Sequence, residues 1–501
     1  MKRRPLPSAG SDAGLPASDP ASPAPRPTPP VIRRRRAGAT GDSSPAAPAR
    51  LAPGLRARRV ALEVLLRVDR ERAFADVLLG HRLGEFAPAD RRLVTQLVLG
   101  TIAWRGRLDF ELARLSARKL EILSPDVLAL LRLGLYQLRM LTRIPPHAAV
   151  DTAVTVAREG PGGAGAARFV NAILRAAIRA PIGLPSRSAD ELEFLTVAYS
   201  HPRWLVERFV EWFGVADAEA LMAAGNEAAP NVLRLNLARG PHDELAALIE
   251  RDGMRIARRG CFPETIVLAG APIFDSPTYR DGVFQPQAEA SQLVARLLAP
   301  AAGSTVADCA AAPGGKSTHL AELVGVAGTV LALDLNLAGL RNARATAARL
   351  GHRNVLFARA DCASALPLRP QSVGYVMLDA PCTGLGTLRE HPEIRWRLQP
   401  DDFARMAALQ SRMLENAAAL VRPAGALVYA VCSLAPHEGP DVIRNFLARH
   451  RDFEIDPNPP ESIGEILDRD GFMRTRPDRG GLDGFFAARL IRRFDIPATA
   501  R

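Results

Sequence analysis

Between residues 55 and 180 apolar residues recur at three- and four-residue intervals. In PDVLALLRLGLYQLRML (125–141) they stand at 127, 128, 130, 131, 135 and 138, the spacing of a helix face. ARRVALEVLLRVD (57–69) and FVNAILRAAI (169–178) follow the same rule. Pro125 directly after Ser124 predicts a capped helix start, and breaks are predicted at Pro88, Pro145–Pro146 and GPGGAG (160–165). The pattern predicts an all-helical domain over 55–180. Residues 181–300 are mixed. LEFLTVAYSHPRWLVERFVEWFG (192–214) predicts helix on both sides of Pro202, NVLRLNLARG (231–240) alternates like a strand, and HDELAALIERDGM (242–254) reads as the helix after it, which suggests a small ferredoxin-like or RNA-recognition-like α+β layer.

From residue 304 the period changes. Short apolar runs at 305–309, 329–334, 354–361, 373–381, 426–433 and 484–492 predict strands, and helical patterns such as 337–351 and 402–421 lie between them. Strand alternating with helix predicts a parallel, doubly wound sheet, which binds ligands at the carboxyl ends of its strands. The fold class is therefore multidomain: an all-α domain at 55–180, a small α+β linker and RNA-binding region at 181–300, and an α/β Rossmann-like domain at 301–495. Residues 1–54 are rich in Pro, Ala, Ser and Arg and bury too little apolar area to offset ordering entropy, so a disordered basic tail is expected there.

Charge changes this picture little. The net charge is +12, but residues 1–59 carry twelve Lys/Arg against three Asp/Glu, so most of the basicity belongs to the tail. Aromatics make up 5% of the chain, too few to reveal a stacking surface by composition. Trp104 and Trp204 are read as core residues. The chain lacks both the apolar centre of a signal peptide and an uninterrupted apolar run long enough to span a bilayer, so a cytoplasmic protein without a membrane partner is expected. Its five cysteines, Cys261, Cys309, Cys362, Cys382 and Cys432, are odd in number and widely spaced, which argues against a disulfide framework or a metal site.

Each predicted strand from 305 to 433 ends on a polar or reactive residue. The first opens into DCAAAPGGKSTHL (308–320), where Gly314 and Gly315 let backbone approach a ligand. The second ends in Asp334, suited to the ribose hydroxyls of an adenosine-containing ligand, and the third in Asp361, placed to reach an adenine edge. The fourth ends in Asp379-Ala380-Pro381-Cys382 and the fifth delivers Cys432. A phosphate-binding loop is the rival reading of AAAPGGKS (310–317), but Ala310 replaces its first glycine and an ATPase has no use for two thiols on the ligand face. Cys261, Cys309 and Cys362 are read as small buried apolar residues. Two thiols, a carboxylate and an adenosine site suit alkylation of cytosine C5. A thiolate adds at C6, C5 takes a methyl from a sulfonium donor, and the adduct then loses its C5 proton and expels the thiol. The base must be unstacked to be reached.

AAAPGGKSTH (310–319), LDAPCTGLGTLREHPEIRW (378–396), YAVCS (429–433) and DGFFAARL (483–490) together resemble the RNA cytosine-5 methyltransferases of the Nol1/Nop2/Sun family, in particular bacterial members acting on 16S rRNA. HPRW (201–204), RLN (234–236) and FQPQAEASQLVA (284–295) match weaker upstream motifs, so the resemblance spans roughly 55–492. It implies a helical domain similar to the antitermination factor NusB at 55–180 that adds RNA affinity, an rRNA substrate, naked or in an early assembly intermediate, and a monomer. It implies that Ala310, Ala311, Ala312, Pro313, Gly314, Gly315 and Lys316 hold the methionine part of S-adenosylmethionine, Asp334 its ribose and Asp361 its adenine. Asp379 would lie where donor and base meet, Lys316 beside it, with Cys432 as nucleophile and Cys382 needed for product release. Ala310, Val431 and Ala288 depart from the family's usual Cys, Thr and Asp, and none of these removes a catalytic group. Arg389, His391 and Arg395 follow Cys382 in a loop expected to face RNA. A competing reading of another class is a non-catalytic RNA-binding factor, against which the intact set Lys316, Asp379, Cys382 and Cys432 argues.

Overall fold

The computed structural model describes residues 54–494 apart from Pro272. The expected tail at 1–54 therefore lies, but for its last residue, outside the described residues. Seven α-helices, from Leu55–Glu71 to Gly163–Arg179, build the N-terminal layer. The helix Pro125–Met140 buries Ala129 through Gln137 without a gap. It is thus the central helix, enclosed on all sides rather than along the one stripe its spacing predicts. Proline at its first position does start it, whereas Ser124 makes no side-chain cap. The Gly-rich break is shorter than expected, because helix resumes at Gly163.

Pro202 separates the helices Glu191–Ala198 and Arg203–Phe213. A four-stranded antiparallel sheet follows, built from β1 (Asn231–Leu235), β2 (Ile256–Arg259), β3 (Thr265–Leu268) and β4 (Phe284–Pro286) in the order β2-β3-β1-β4. Its central strand presents Arg234, which is fully buried and donates to Thr318 Oγ1 (2.9 Å), Glu322 (3.0 Å) and the Gly315 carbonyl (2.7 Å). The small sheet therefore grips the start of the helix Gly315–Val324 in the larger domain.

The larger sheet contains β5 (Thr305–Asp308), β6 (Thr329–Asp334), β7 (Val355–Arg359), β8 (Val373–Asp379), β9 (Val421–Val431), β10 (Phe453–Ile455), β11 (Phe472–Thr475) and β12 (Phe485–Arg492). Its order is β10-β12-β9-β8-β5-β6-β7, with β11 also on β12. Five strands are parallel as expected, but β12 runs antiparallel to β9 and carries β10 and β11 antiparallel to itself, so the sheet is mixed. The short strands β10 and β11 lack the apolar run that revealed the others. Alternate residues go to opposite faces. Val306, Met377 and Val428 join one core with the helix Glu289–Leu298, while Ala307, Leu378 and Tyr429 join another with the helix Asp402–Leu420. Among the described residues no helix is long and apolar enough to cross a membrane.

The loop after Cys382 does not face outward. Arg395 is fully buried and donates to Asn226 Oδ1 (2.6 Å) and to the carbonyls of Gly225 (3.1 Å), Ser200 (3.4 Å) and Ala103 (3.5 Å). Trp396 Nε1 donates to the Ile102 carbonyl at 2.7 Å, and Arg397 to those of Val68 (3.1 Å) and Ala73 (2.6 Å). The loop is the seam between the helical layer and the sheet domain. Burial pushes the Arg395 guanidinium down to about 9, which leaves it charged at neutral pH and held by neutral oxygens alone. Arg395→Ala strands those acceptors in a dry interface, and a loss on the order of 3 kcal/mol is expected. A lower melting temperature and faster proteolysis between the layers would record it. Unchanged melting would show that the seam holds without this side chain.

Candidate active site

β5 is bonded to β6 on one side and to β8 on the other. Connections leave it in opposite directions, so a crevice opens beyond its carboxyl end. The loop 309–314 runs into this crevice. Gly314 has φ +102°, a backbone that disfavours a side chain, and a Cβ there would stand 2.6 Å from Ala343 Cβ. The Ala312 amide donates to Asp334 Oδ2 (2.9 Å) and the Asn336 amide to Asp334 Oδ1 (2.7 Å), so β6's terminal carboxylate is tied to the glycine loop. Asp308, buried below the loop, accepts from Ser317 Oγ at 2.6 Å, and its Oδ1 has no partner. Burial, reinforced by the charge of Asp379, lifts its carboxyl to about 7 against the opposing pull of Ser317 and Lys316.

Lys316 Nζ reaches across the crevice to Asp379 Oδ2 at 2.6 Å and lies 5.4 Å from the centre of the Phe485 ring. Burial works against its charge, but Asp379 and Cys432 outweigh it, so the ammonium is held above its usual range. In the parallel pairing of β8 with β9, Asp379 faces Ala430, and the bond from the Ala380 amide to the Ala430 carbonyl (2.8 Å) extends the register past the strand end. Cys382 and Cys432 therefore emerge together, with Sγ atoms 3.3 Å apart as free thiols. The hydrogen bond to Cys432, together with burial, pushes the Cys382 thiol well above its ordinary value.

Beneath the thiols lies a carboxylate that sequence reasoning missed. Glu438 is fully buried and accepts from the Thr383 amide (2.8 Å), Thr383 Oγ1 (2.5 Å), Ser433 Oγ (2.5 Å) and Gln410 Nε2 (3.0 Å). It ties the residue after each cysteine to one anchor. Gly386 completes the wall, donating to the Cys432 carbonyl at 3.0 Å. A Cβ there would lie 1.7 Å from the Gly484 carbonyl oxygen, so only glycine lets the DGFF turn close over the loop.

The structure thus brings together Ala310–Lys316, Asp334, Asp379, Cys382 and Cys432. Asp361 is exposed, two residues beyond β7, and follows Ala360, whose amide donates to the Asp334 carbonyl (3.1 Å); its own carboxylate accepts from the Ala363 amide (2.9 Å) and Ser364 Oγ (3.3 Å). Arg389 is not a free RNA contact, because it pairs with Asp483 at 2.7 Å. His391 lies 3.7 Å from Asp76 of the helical layer. Cys309 and Cys362 are buried as expected, whereas Cys261 is exposed. Trp104 and Trp204 are partly buried in apolar clusters. The crevice suits S-adenosylmethionine, since a glycine-pinched loop, an unpartnered buried carboxyl oxygen on Asp308 and the carboxylate of Asp334 converge at one strand-end opening.

Comparison with known proteins follows the same division. Residues 295–491 match the family described as 16S rRNA methyltransferase RsmB/F, residues 55–179 the NusB family, and residues 201–273 the ferredoxin-like domain of RsmF/B-like methyltransferases. The probable ribosomal RNA small subunit methyltransferase B of Bacillus subtilis (strain 168) is 34% identical over 441 residues, 86% of this chain and 97% of the relative. The ribosomal RNA small subunit methyltransferase B of Pseudomonas syringae pv. tomato is 34% identical over 445 residues, covering 87% and 96%. The crystal structure of PH0851 superposes with a TM-score of 0.76 at 28% identity, covering 88% of this chain and 99% of the other.

Proposed function

The chain belongs to the RsmB/F family of rRNA methyltransferases, and from that premise we propose that it methylates C5 of a cytosine in 16S rRNA through a covalent bond between Cys432 and C6 of the base. S-adenosylmethionine is its methyl donor and supplies, when bound, an electrophilic methyl on a sulfonium. In this reading the loop Ala310–Lys316 binds the methionine part, Asp334 the ribose and Asp361 the adenine. Asp379 accepts from the exocyclic amine with one oxygen and with the other relays to N3 the proton given up by the Cys432 thiol. The ring can then take the electron pair of the attacking sulfur, and the N3 proton returns to Asp379 when the sulfur leaves. The Cys432 thiolate forms the C6–S bond, and electron density moves to C5, which takes the methyl. The C5 proton then leaves to solvent, the C6–S bond breaks, and Cys382 gives its proton to the departing sulfur and regains one from water.

The observation that carries this reading is the thiol pair at 3.3 Å beside the Lys316–Asp379 pair. Two sulfurs so close resist ionising together, so one serves as thiolate while the other keeps its proton. We also propose that the protein acts as a cytoplasmic monomer, that 55–180 contributes RNA affinity, and that the domains divide near 180 and 300. The test is nucleoside mass spectrometry of unmodified 16S rRNA, free and in early assembly particles, after incubation with S-adenosylmethionine. The expected product is 5-methylcytidine. Methylation found only on another base or another ring position would overturn the reading.

A further inference from the structure

Cys382 and Cys432 are 50 residues apart in sequence, and the fold sets their sulfurs 3.3 Å from each other. The backbone on both sides of the pair is pinned. Before the thiols, the Ala380 amide donates to the Ala430 carbonyl at 2.8 Å. After them, the Thr383 and Ser433 hydroxyls stand 3.2 Å apart and both donate to Glu438. The Gly386 amide holds the Cys432 carbonyl at 3.0 Å. A disulfide needs its sulfurs at about 2.05 Å, so closure asks for about 1.3 Å of travel. Rotation of the two side chains supplies that distance with no strand displaced. Cys309 and Cys362 are buried, whereas Cys382 and Cys432 are only half-buried and present surface that a small solute can reach.

Cysteine meets oxidants as the thiolate, a form that the Lys316 ammonium favours at Cys432, and a second thiol in contact can resolve the product. We propose that Cys382 and Cys432 close to a reversible disulfide when the protein meets a peroxide, which switches methyl transfer off and shields the nucleophile from irreversible oxidation. The steps balance with hydrogen peroxide as the oxidant. The Cys432 sulfur attacks one oxygen, the O–O bond breaks, and the hydroxide released takes the proton that the Cys432 thiol had given up. The Cys382 sulfur then attacks the sulfenic acid: the S–S bond forms, the S–O bond breaks, and hydroxide leaves with the Cys382 proton as water. The thiol pair gives up two electrons and the peroxide becomes two waters. A dithiol reverses the change by exchange, so the disulfide is of the transient kind that a reducing compartment permits. That the closed state is inactive rests on the reading of Cys432 as nucleophile, because its sulfur, once bonded to Cys382, has no thiolate to offer C6.

The test treats the reduced full chain with hydrogen peroxide and follows its intact mass, its peptide map, its methylation rate and its affinity for S-adenosylmethionine. The expected result is a loss of about 2 Da, a crosslinked Cys382–Cys432 peptide and methylation at least about tenfold slower, all reversed by dithiothreitol. S-adenosylmethionine affinity is expected to stay close to that of the reduced protein, since Ala310–Lys316 and Asp334 are untouched, and this separates the switch from unfolding. Cys382→Ala lacks the resolving thiol. Under peroxide it is expected to gain about 32 Da at Cys432, which dithiothreitol does not remove. A wild type that keeps its mass, takes up oxygen at Cys432 without crosslinking, or crosslinks only Cys309 to Cys362 overturns the proposal and leaves the catalytic roles standing. A mapped Cys382–Cys432 disulfide with methylation undiminished overturns the switch together with the reading of Cys432 as nucleophile.

Discussion

Cys432→Ala is expected to lose methyl transfer by at least about 10⁴-fold, the scale of removing a covalent nucleophile, while Cys382→Ala accumulates protein covalently joined to RNA. The asymmetry follows from what each thiol faces. Cys432 interacts with the Lys316 ammonium, and the attraction between that charge and a Cys432 thiolate is mutual. Cys382 faces Cys432 and lies near the buried Glu438, and both disfavour a second negative charge. Cys382 therefore stays a thiol through the attack and supplies a proton only when the sulfur departs. Without it the C6–S bond still forms, and its rupture slows. A denaturing gel with unmodified rRNA and S-adenosylmethionine separates the steps: a slow-migrating band in Cys382→Ala and none in Cys432→Ala. The reverse pattern would move attack to the end of β8. Methylation kept by both variants would remove the two-thiol mechanism altogether.

Most of this site is legible in the sequence because it lies at strand ends. A parallel strand buried on both faces reads as an unbroken apolar run, and the first polar residue after it marks the ligand face. Asp334, Asp379 and Cys432 stand out in that way. The register that sets the two thiols side by side is not legible, since it depends on β8 and β9 being neighbours. Glu438 escapes for the same reason. Its partners at Thr383 and Gln410 are distant in sequence, and the signal at hand, an acid just after the cysteine loop, is indistinguishable from a solvated turn. The segment Arg389–Arg397 misleads in the opposite direction. Three arginines and a histidine read as a basic exterior, yet Arg395 is enclosed by three helices' ends and Arg389 is paired with Asp483. Charge in sequence marks solvent only where no partner layer covers it, and that layer lies some three hundred residues upstream of Arg395. The role of the RLN motif is likewise not legible in sequence, since Arg234 joins the small sheet to the helix Gly315–Val324 some eighty residues downstream.

Asp379→Asn is expected to reduce the single-turnover rate of methylation by about 10²–10⁴-fold, the range of a positioned acid–base group, with S-adenosylmethionine affinity changed much less. The carboxylate has two roles within one crevice. It neutralises Lys316 at 2.6 Å, and in the proposed mechanism its remaining lone pairs take the base edge. An amide loses the charge and turns a donor toward one of those partners. Lys316→Met keeps the length of the side chain and removes the ammonium, so Asp379 and Asp308 are left as two acids without the cation between them. Asp308, already lifted to about 7, then loses one of the groups that oppose its protonation. A loss of similar size is expected for Lys316→Met. Because the ion pair acts as a unit, the double variant should fall little below the worse single variant, rather than by the product of the two losses. The attack step can be isolated in the Cys382→Ala background, where the covalent band reports C6–S bond formation directly. Adding Asp379→Asn there should suppress the band. Full accumulation of adduct, or strictly multiplicative losses in the double variant, would separate Asp379 from the activation of the base and leave it only the role of holding Lys316.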